Sequence, residues 1–390
     1  MKVGLINYHF VYNYGAVLQC TALKEAIENL GHKVIIIDYR PFSQQQYYLP
    51  YPNAFKCAKI AYNKFPEKNR LKRSYIAAKW FVHVIVSYKN AKYRKLLDGK
   101  FSSFVNRHLQ LTCRYNTIED IRSNPPEADA YVCGSDQLWN PNVTWGLDAA
   151  YFLNFGHHQK RIAYAVSPCQ LDVHKYSDSL RNWCDNLDAI SLREAEKKDE
   201  LEGLLKRPIS ICIDPTLLLT ANQYKKFEEK INELPEQYIL VYAFCDEDKN
   251  RLLKSTVESI YQKKNIEIID VSIDNIQWGF PVTKRNSCTP GEFLFYFKNA
   301  TYIITNSFHG TVFSIIYHRK FLSVAKHGTA SRMTELLRKL SLENQMVKNI
   351  SDINYYSVDE RNYLEVEENL KKLQVESLEY LMSTLASNED

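Results

Sequence analysis

Short β-branched runs separated by amphipathic stretches recur along most of this chain, and that alternation limits it to parallel sheets joined by crossover helices. The first repeat is the clearest. Val3 to Asn7 reads as a buried strand and Asn13-Tyr14-Gly15 as its turn. Ala16 to Leu30 reads as a helix, apolar at 18, 22, 23, 26, 27 and 30, which Gly31 ends. Val34 to Asp38 follows as a second strand, with further strands at Ala130 to Cys133, Arg161 to Ala165, Ala189 to Leu192 and Ile209 to Asp214. A second set starts at Tyr238 to Ala243. It continues with a helix from Lys249 to Gln262, a strand at Ile266 to Val271 and a helix at Pro290 to Lys298. The strand Tyr302 to Thr305 then exits through Asn306 to Gly310 into a helix at Thr311 to Tyr317, followed by the strand Phe321 to Val324 and a helix at Arg332 to Leu340.

The expected fold class is therefore α/β, with two Rossmann-like doubly wound domains facing a cleft. Ligands of such sheets bind at the carboxyl ends of the strands. Residues 1–220 form the N-terminal domain, interrupted by a basic aromatic insertion at 41–110. Residues 221–345 form the C-terminal domain, and 346–390 a helical segment packing along the outside. The length of 390 residues is ample for two hydrophobic cores.

Charge is segregated along the chain. Residues 41–100 carry thirteen basic against two acidic residues, a net of +11, while the whole chain sums to +5, which leaves −6 on the remainder. Twelve aromatics are interleaved with those cations, from Phe42 to Tyr93. A solvated helical insertion reads this way, and so does a surface for anionic lipid or a lipid-linked substrate. Without a recognised nucleic-acid motif beside the patch, nucleic acid is not an expected partner. The nine cysteines show no CxxC pair, and their odd number fits reduced thiols and a cytoplasmic protein. The N-terminus lacks the apolar core of a signal peptide, and no apolar run approaches the roughly 18 residues of a spanning helix.

Four strand-exit segments hold the residues that suit chemistry. In Asn13 to Gln19 a glycine turn opens a helix, so Gly15 permits a ligand to approach unpaired helical N–H groups, although a structural turn has the same form. The segment Gly134-Ser135-Asp136-Gln137-Leu138-Trp139-Asn140-Pro141 crowds an acid, two amides and an indole after a strand, as a site or as a turn. Arg193 in Ser191 to Glu194 offers a planar fork to phosphate or carboxylate, or else pairs with Glu194 or Glu196. In Asn306 to Thr311, His309 beside Gly310 is placed for proton transfer, or is structural as lone histidines commonly are. Lys326 adds a cation near the same strand-end face. No HExxH, GxxxxGK[ST] or GxSxG pattern occurs. His157 and His158, being adjacent, do not make a metal pair, so no metal site is expected.

Taken together and in this order, Asn13 to Gln19, Gly134 to Pro141, Ser191 to Glu194, Asp214-Pro215-Thr216 and Ser307 to Gly310 resemble the polysaccharide pyruvyl transferase family. The resemblance spans residues 1–345; the basic insertion and the C-terminal helix lie outside it. It implies a fold similar to B-type glycosyltransferases and transfer of the enolpyruvyl unit of phosphoenolpyruvate to a sugar as a cyclic ketal, without a cofactor. It further implies donor contacts and catalysis by Arg193, His309 and Lys326, with Ser307 and Gly310 beside them. The arginine that many members carry just before this histidine is absent, so Lys326 or Arg332 would supply its charge. His309 is the candidate acid and Asp136 the candidate base; Asn13, Gly15, Gln19, Ser135, Trp139 and Asn140 are the candidate acceptor contacts. The expected partners are phosphoenolpyruvate, a lipid-linked glycan and the inner membrane face, met through residues 41–100. A nucleotide-sugar glycosyltransferase of the same architecture and a non-catalytic membrane-associated scaffold are the alternatives.

Overall fold

The structure, a computed structural model, describes residues 1–64, 68–245, 250–325, 330–353 and 363–386. The chain forms two compact units. Unit 1 comprises Met1–Tyr12, Gln19–Pro215 and the chain from Leu378 on, whereas unit 2 comprises Asn13–Leu18 and Thr216–Ser377. The first turn of the opening helix therefore clusters with the second unit, and the end of the last helix with the first.

Unit 1 is built on seven parallel strands: β1 (Lys2–Ile6), β2 (Lys33–Tyr39), β3 (Leu111–Tyr115), β4 (Ala130–Asp136), β5 (Lys160–Val166), β6 (Ala189–Leu192) and β7 (Ser210–Ile211). Their spatial order is β3-β2-β1-β4-β5-β6-β7, so the winding reverses between β1 and β4. Helix α1 (Tyr14–Asn29) makes the first crossover; Asn13 starts it, and Gly31, at a φ of 87°, turns the chain into β2. The insertion supplies α2 (Phe42–Gln45), α3 (Ala54–Asn63), α4 (Arg70–Ser87) and α5 (Ala91–His108), and α6 (Ile118–Ser123), α7 (Ser177–Cys184) and α8 (Lys198–Leu205) follow.

Unit 2 holds six parallel strands: β8 (Tyr238–Tyr242), β9 (Glu267–Asp270), β10 (Thr283–Lys284), β11 (Tyr302–Thr305), β12 (Lys320–Val324) and β13 (Met346–Val347). Their order is β10-β9-β8-β11-β12-β13. The helices are α9 (Ala221–Tyr224), α10 (Asn250–Lys264), α11 (Pro290–Asn299), α12 (Phe308–Ile316), α13 (Ala330–Lys339) and α14 (Tyr363–Leu385). Both faces of this sheet are covered: Ile239 and Val241 pack with Leu253 and Val257 of α10, while Tyr242 meets Phe293 and Phe297 of α11.

Three boundaries differ from expectation, each for a local reason. Gly134 to Asp136 close β4 instead of forming a loop, because parallel pairing runs on to Asp136 opposite Val166. The helix expected from Thr311 begins at Phe308, because the Ser307 hydroxyl accepts from the Gly310 N–H and caps it. The strand expected over 209–214 is only Ser210–Ile211, because its partner β6 ends at Leu192, opposite Ile211.

Candidate active site

All strands of unit 1 run the same way, so their carboxyl ends line one edge, and the groups expected to do chemistry gather where the strand order reverses. Asn7, just past β1, is buried there and donates through Nδ2 to Gln19 Oε1 at 2.8 Å and to the Gly134 carbonyl at 2.6 Å. Gly134 admits no side chain: a Cβ would overlap the Tyr164 carbonyl of β5. Beyond it, Asp136 adopts a φ of 69° and accepts from the Gln137 N–H at 2.9 Å. That left-handed turn directs the carboxylate toward the exit of β6 rather than along the strand.

Arg193 is the counter-charge. Its side chain is only 3% exposed; Nε donates to Glu194 at 2.8 Å, Nη1 to Asp214 at 2.7 Å, and Nη2 lies 3.9 Å from Asp136. Burial alone would lower the guanidinium pKa, yet the Glu194, Asp214 and Asp136 carboxylates outweigh it and raise it above its ordinary value. One permanent cation thus holds three carboxylates together. The pairing with Glu194 that the sequence allowed is present, and it is buried.

Around Asp136 three further buried atoms, Tyr8 Oη, Gln19 Nε2 and Ser167 Oγ, have no hydrogen-bond partner among the described residues. Tyr8 feels the Asp136 charge, Ser167 donates its N–H to the Asp136 carbonyl, and Gln19 is tied to Asn7. Burial first, then Tyr151 and Asp136, push the Tyr8 phenol pKa up, so it stays a neutral donor. Buried polar atoms left unmet cost roughly 1 to 3 kcal/mol each, so several in one place call for a polar partner, whether bound water or ligand. A row of rings extends the same region: Tyr8 against Tyr151 at 5.5 Å, Phe10 against Tyr48 at 6.1 Å and Tyr12 against Tyr48 at 5.3 Å.

Several residues singled out in sequence support this nest from behind. Trp139 is fully buried, stacked on Phe152 at 4.5 Å with its indole N–H on the Tyr151 carbonyl. Ser135 bonds the Ala165 carbonyl, and Asn140 bonds Gln137 and receives the Asn142 N–H.

Unit 2 gathers a second set. Ser307 caps α12, and Gly310 lets the helix sit on β11, because a Cβ there would overlap Thr305 Oγ1. Thr311 reaches Ser323 of β12 at 2.7 Å, while Asn306 clamps Phe244 through its N–H at 2.8 Å and its carbonyl at 3.0 Å. His309 is carried on this anchored first turn and is 8% exposed. The first turn of α1 meets it. Asn13 Oδ1 accepts from the Ala16 N–H at 3.2 Å, and Tyr14 stacks on Phe293 at 4.5 Å. A Cβ on Gly15 would collide with Nδ1 and Cγ of the His309 ring. The glycine turn and the histidine segment, almost three hundred residues apart in sequence, thus come together with two helix N-termini at one imidazole. Lys326 lies outside the described residues, and Arg332 is buried on α13. Among the described residues no three His, Cys, Asp or Glu side chains gather as a metal site.

Sequence reading missed Asn7, Tyr8 and the His9–Asp38 pair, which follow or end strands without a motif. Their one signal is a polar residue directly after a wholly apolar strand.

Two parallel-sheet α/β units of this kind are a fold that solved structures share. A Listeria monocytogenes protein assigned as a UDP-N-acetylglucosamine 2-epimerase superposes with a TM-score of 0.52 at 10% identity, over 96% of this chain and 90% of that one. The Staphylococcus aureus MnaA–UDP structure gives 0.49 at 9% identity over 97% and 90%, and the spinosyn rhamnosyltransferase SpnG 0.46 at 9% over 98% and 99%. These likenesses concern the fold. No curated protein matches the chain in sequence. The chain belongs to the polysaccharide pyruvyl transferase family, whose model matches residues 13–327.

Proposed function

We propose that this transferase moves the enolpyruvyl unit of phosphoenolpyruvate onto a sugar of a bacterial surface polysaccharide precursor, closing a pyruvate ketal and releasing phosphate. The observation that carries this reading is His309 seated against Gly15 where the N-termini of α1 and α12 meet. Two helix N-termini offer unpaired N–H groups and positive partial charge to a small anion without requiring many side-chain cations. That suits a donor bearing both a carboxylate and a phosphate.

In the proposed reaction the donor double bond takes a proton at C3 from His309 while a sugar hydroxyl adds at C2. The C2–O bond to phosphate then breaks, with its electron pair leaving on phosphate, and a second hydroxyl closes the ketal and gives up its proton. Asp136 is the proposed base. Arg193 acts as a positioning residue, fixing Asp136 beside Glu194 and Asp214. Tyr8, Gln19 and Ser167, with the aromatic row, suit the hydroxyls and apolar faces of a sugar. The acceptor is proposed to be lipid-linked.

Purified protein incubated with phosphoenolpyruvate and galactose- or mannose-type acceptors is expected to release inorganic phosphate. His309→Ala is expected to slow that release by about 10²- to 10⁴-fold with an unchanged circular-dichroism spectrum. No release with any acceptor, together with a thermal shift from uridine or guanosine diphosphates and none from phosphoenolpyruvate, would establish nucleotide-sugar chemistry instead.

A further inference from the structure

We infer that helix α4 of the insertion is a docking surface for an anionic lipid bilayer. Its inner face is used: Val84 packs with Ala54 and Cys57 of α3, flanked by Phe81 and Tyr88. The outer face is apolar and bare. Leu71, Tyr75, Val82, Ile85 and Val86 are 45 to 83% exposed, and Ala78 is exposed between them. At about 100° per residue these six positions fall within an arc of about 100°, running the whole helix of about 27 Å. Lys72 and Lys79 border one side of that arc and Arg70 the other, all three exposed. Phe55 of α3, 79% exposed, extends the patch beside Phe81, the rings 5.0 Å apart.

A stripe this long is unusual on a surface that meets only water. Charge decides what covers it. The segment 41–100 carries a net of +11, so a second copy presenting the same face would repel it, and a nucleic acid would have no use for the apolar centre. Apolar side chains sunk to the acyl boundary with cations at headgroup depth satisfy both features. No helix among the described residues is long and apolar enough to cross a membrane, so α4 is read as lying in the interface plane. From the opposite side of α4 the helix reaches the aromatic row: Tyr47 contacts Trp80 at 5.6 Å, while its neighbour Tyr48 joins that row beside Tyr12.

Vesicle co-sedimentation of the full chain, without substrate, tests the inference independently of the transfer chemistry. Phosphatidylglycerol-containing vesicles should bind it at least tenfold more tightly than phosphatidylcholine vesicles, and high salt should weaken that binding. The variant Leu71→Ser/Tyr75→Ser/Val82→Ser should lose about tenfold or more. Arg70→Gln/Lys72→Gln/Lys79→Gln should lose about a hundredfold, each cation near an anionic surface being worth close to a factor of five. All six side chains are exposed, so the circular-dichroism spectrum should not change. The inference is overturned by equal binding to neutral vesicles, by absent binding, or by anionic binding that the apolar variant leaves intact. It is equally overturned if sedimentation equilibrium shows a lipid-free oligomer that the apolar variant dissolves.

Discussion

Gly15 owes its place to His309. The absent side chain is where the imidazole lies, so the two residues form one joint and neither position is chosen alone. Gly15→Ala should therefore push the ring aside by a fraction of an ångström to an ångström. That misplacement is expected to lower phosphate release by about 10²-fold, with a stability loss of about 1 to 3 kcal/mol. A variant with wild-type turnover in the phosphate assay would separate the glycine from the chemistry. Both residues stood out in the sequence, each as a glycine or histidine at a strand exit; their meeting did not, because nothing local encodes a contact across so many residues. Ser135, Trp139 and Asn140 teach the opposite lesson. A dense polar segment has the same composition whether its side chains face a ligand or brace a turn, and these three are buried in bracing bonds. Arg193 stood between two readings, and the structure adds that buried Glu194 and Asp214 both pair with it.

Strands in a parallel sheet end side by side, and the polar residues after them must find partners or water. In unit 1 a single carboxylate does this for three neighbours. Asp38 of β2 accepts from His9 after β1 at 2.8 Å, from Arg40 at 2.5 Å, and lies 3.5 Å from Arg114 of β3. Its pKa falls to about 2, because the His9 and Arg40 contacts outweigh the burial that would raise it. The native value is below the roughly 3.9 of an unfolded Asp, so this stabilisation is complete above pH 4 and is lost as the pH drops toward 2. Asp38→Asn should cost about 2 kcal/mol at neutral pH and flatten the acid limb, read as urea midpoints at successive pH values. An unchanged acid limb would show that the carboxylate is not the tie. Long β-branched strands were legible because they repeat one physical pattern; β3, β10 and β13 were not, being short or mixed, with no periodicity to detect, and β7 was read but too long. The start of α12 was hidden because a serine cap and a loop serine look alike until the Gly310 N–H points at it.

Between the family match, which ends at residue 327, and the chain's last described residue lies a helix that unit 1 needs. From Leu378 on, α14 belongs with that unit: Leu381 and Leu385 are fully buried, and the Tyr380 hydroxyl donates to the Ala163 carbonyl of β5 at 3.1 Å, its ring 6.2 Å from Tyr164. A sheet buried on both faces needs such a cover, and here the sequence places it at the far end of the chain, where the charged, amphipathic pattern shows a helix but not its docking place. Burying two leucines and a tyrosine is worth roughly 5 kcal/mol, a large share of a domain's stability. Leu381→Ala should cost about 3 kcal/mol through the lost burial and the cavity left behind. Hydrogen exchange localises the effect: amides of β5 such as Ile162 and Ala163 should lose protection, while those of β11 such as Ile303 in unit 2 should keep theirs. The reverse pattern would mean that the final turns serve the second unit. Equal loss in both would mean that the chain unfolds as one cooperative body.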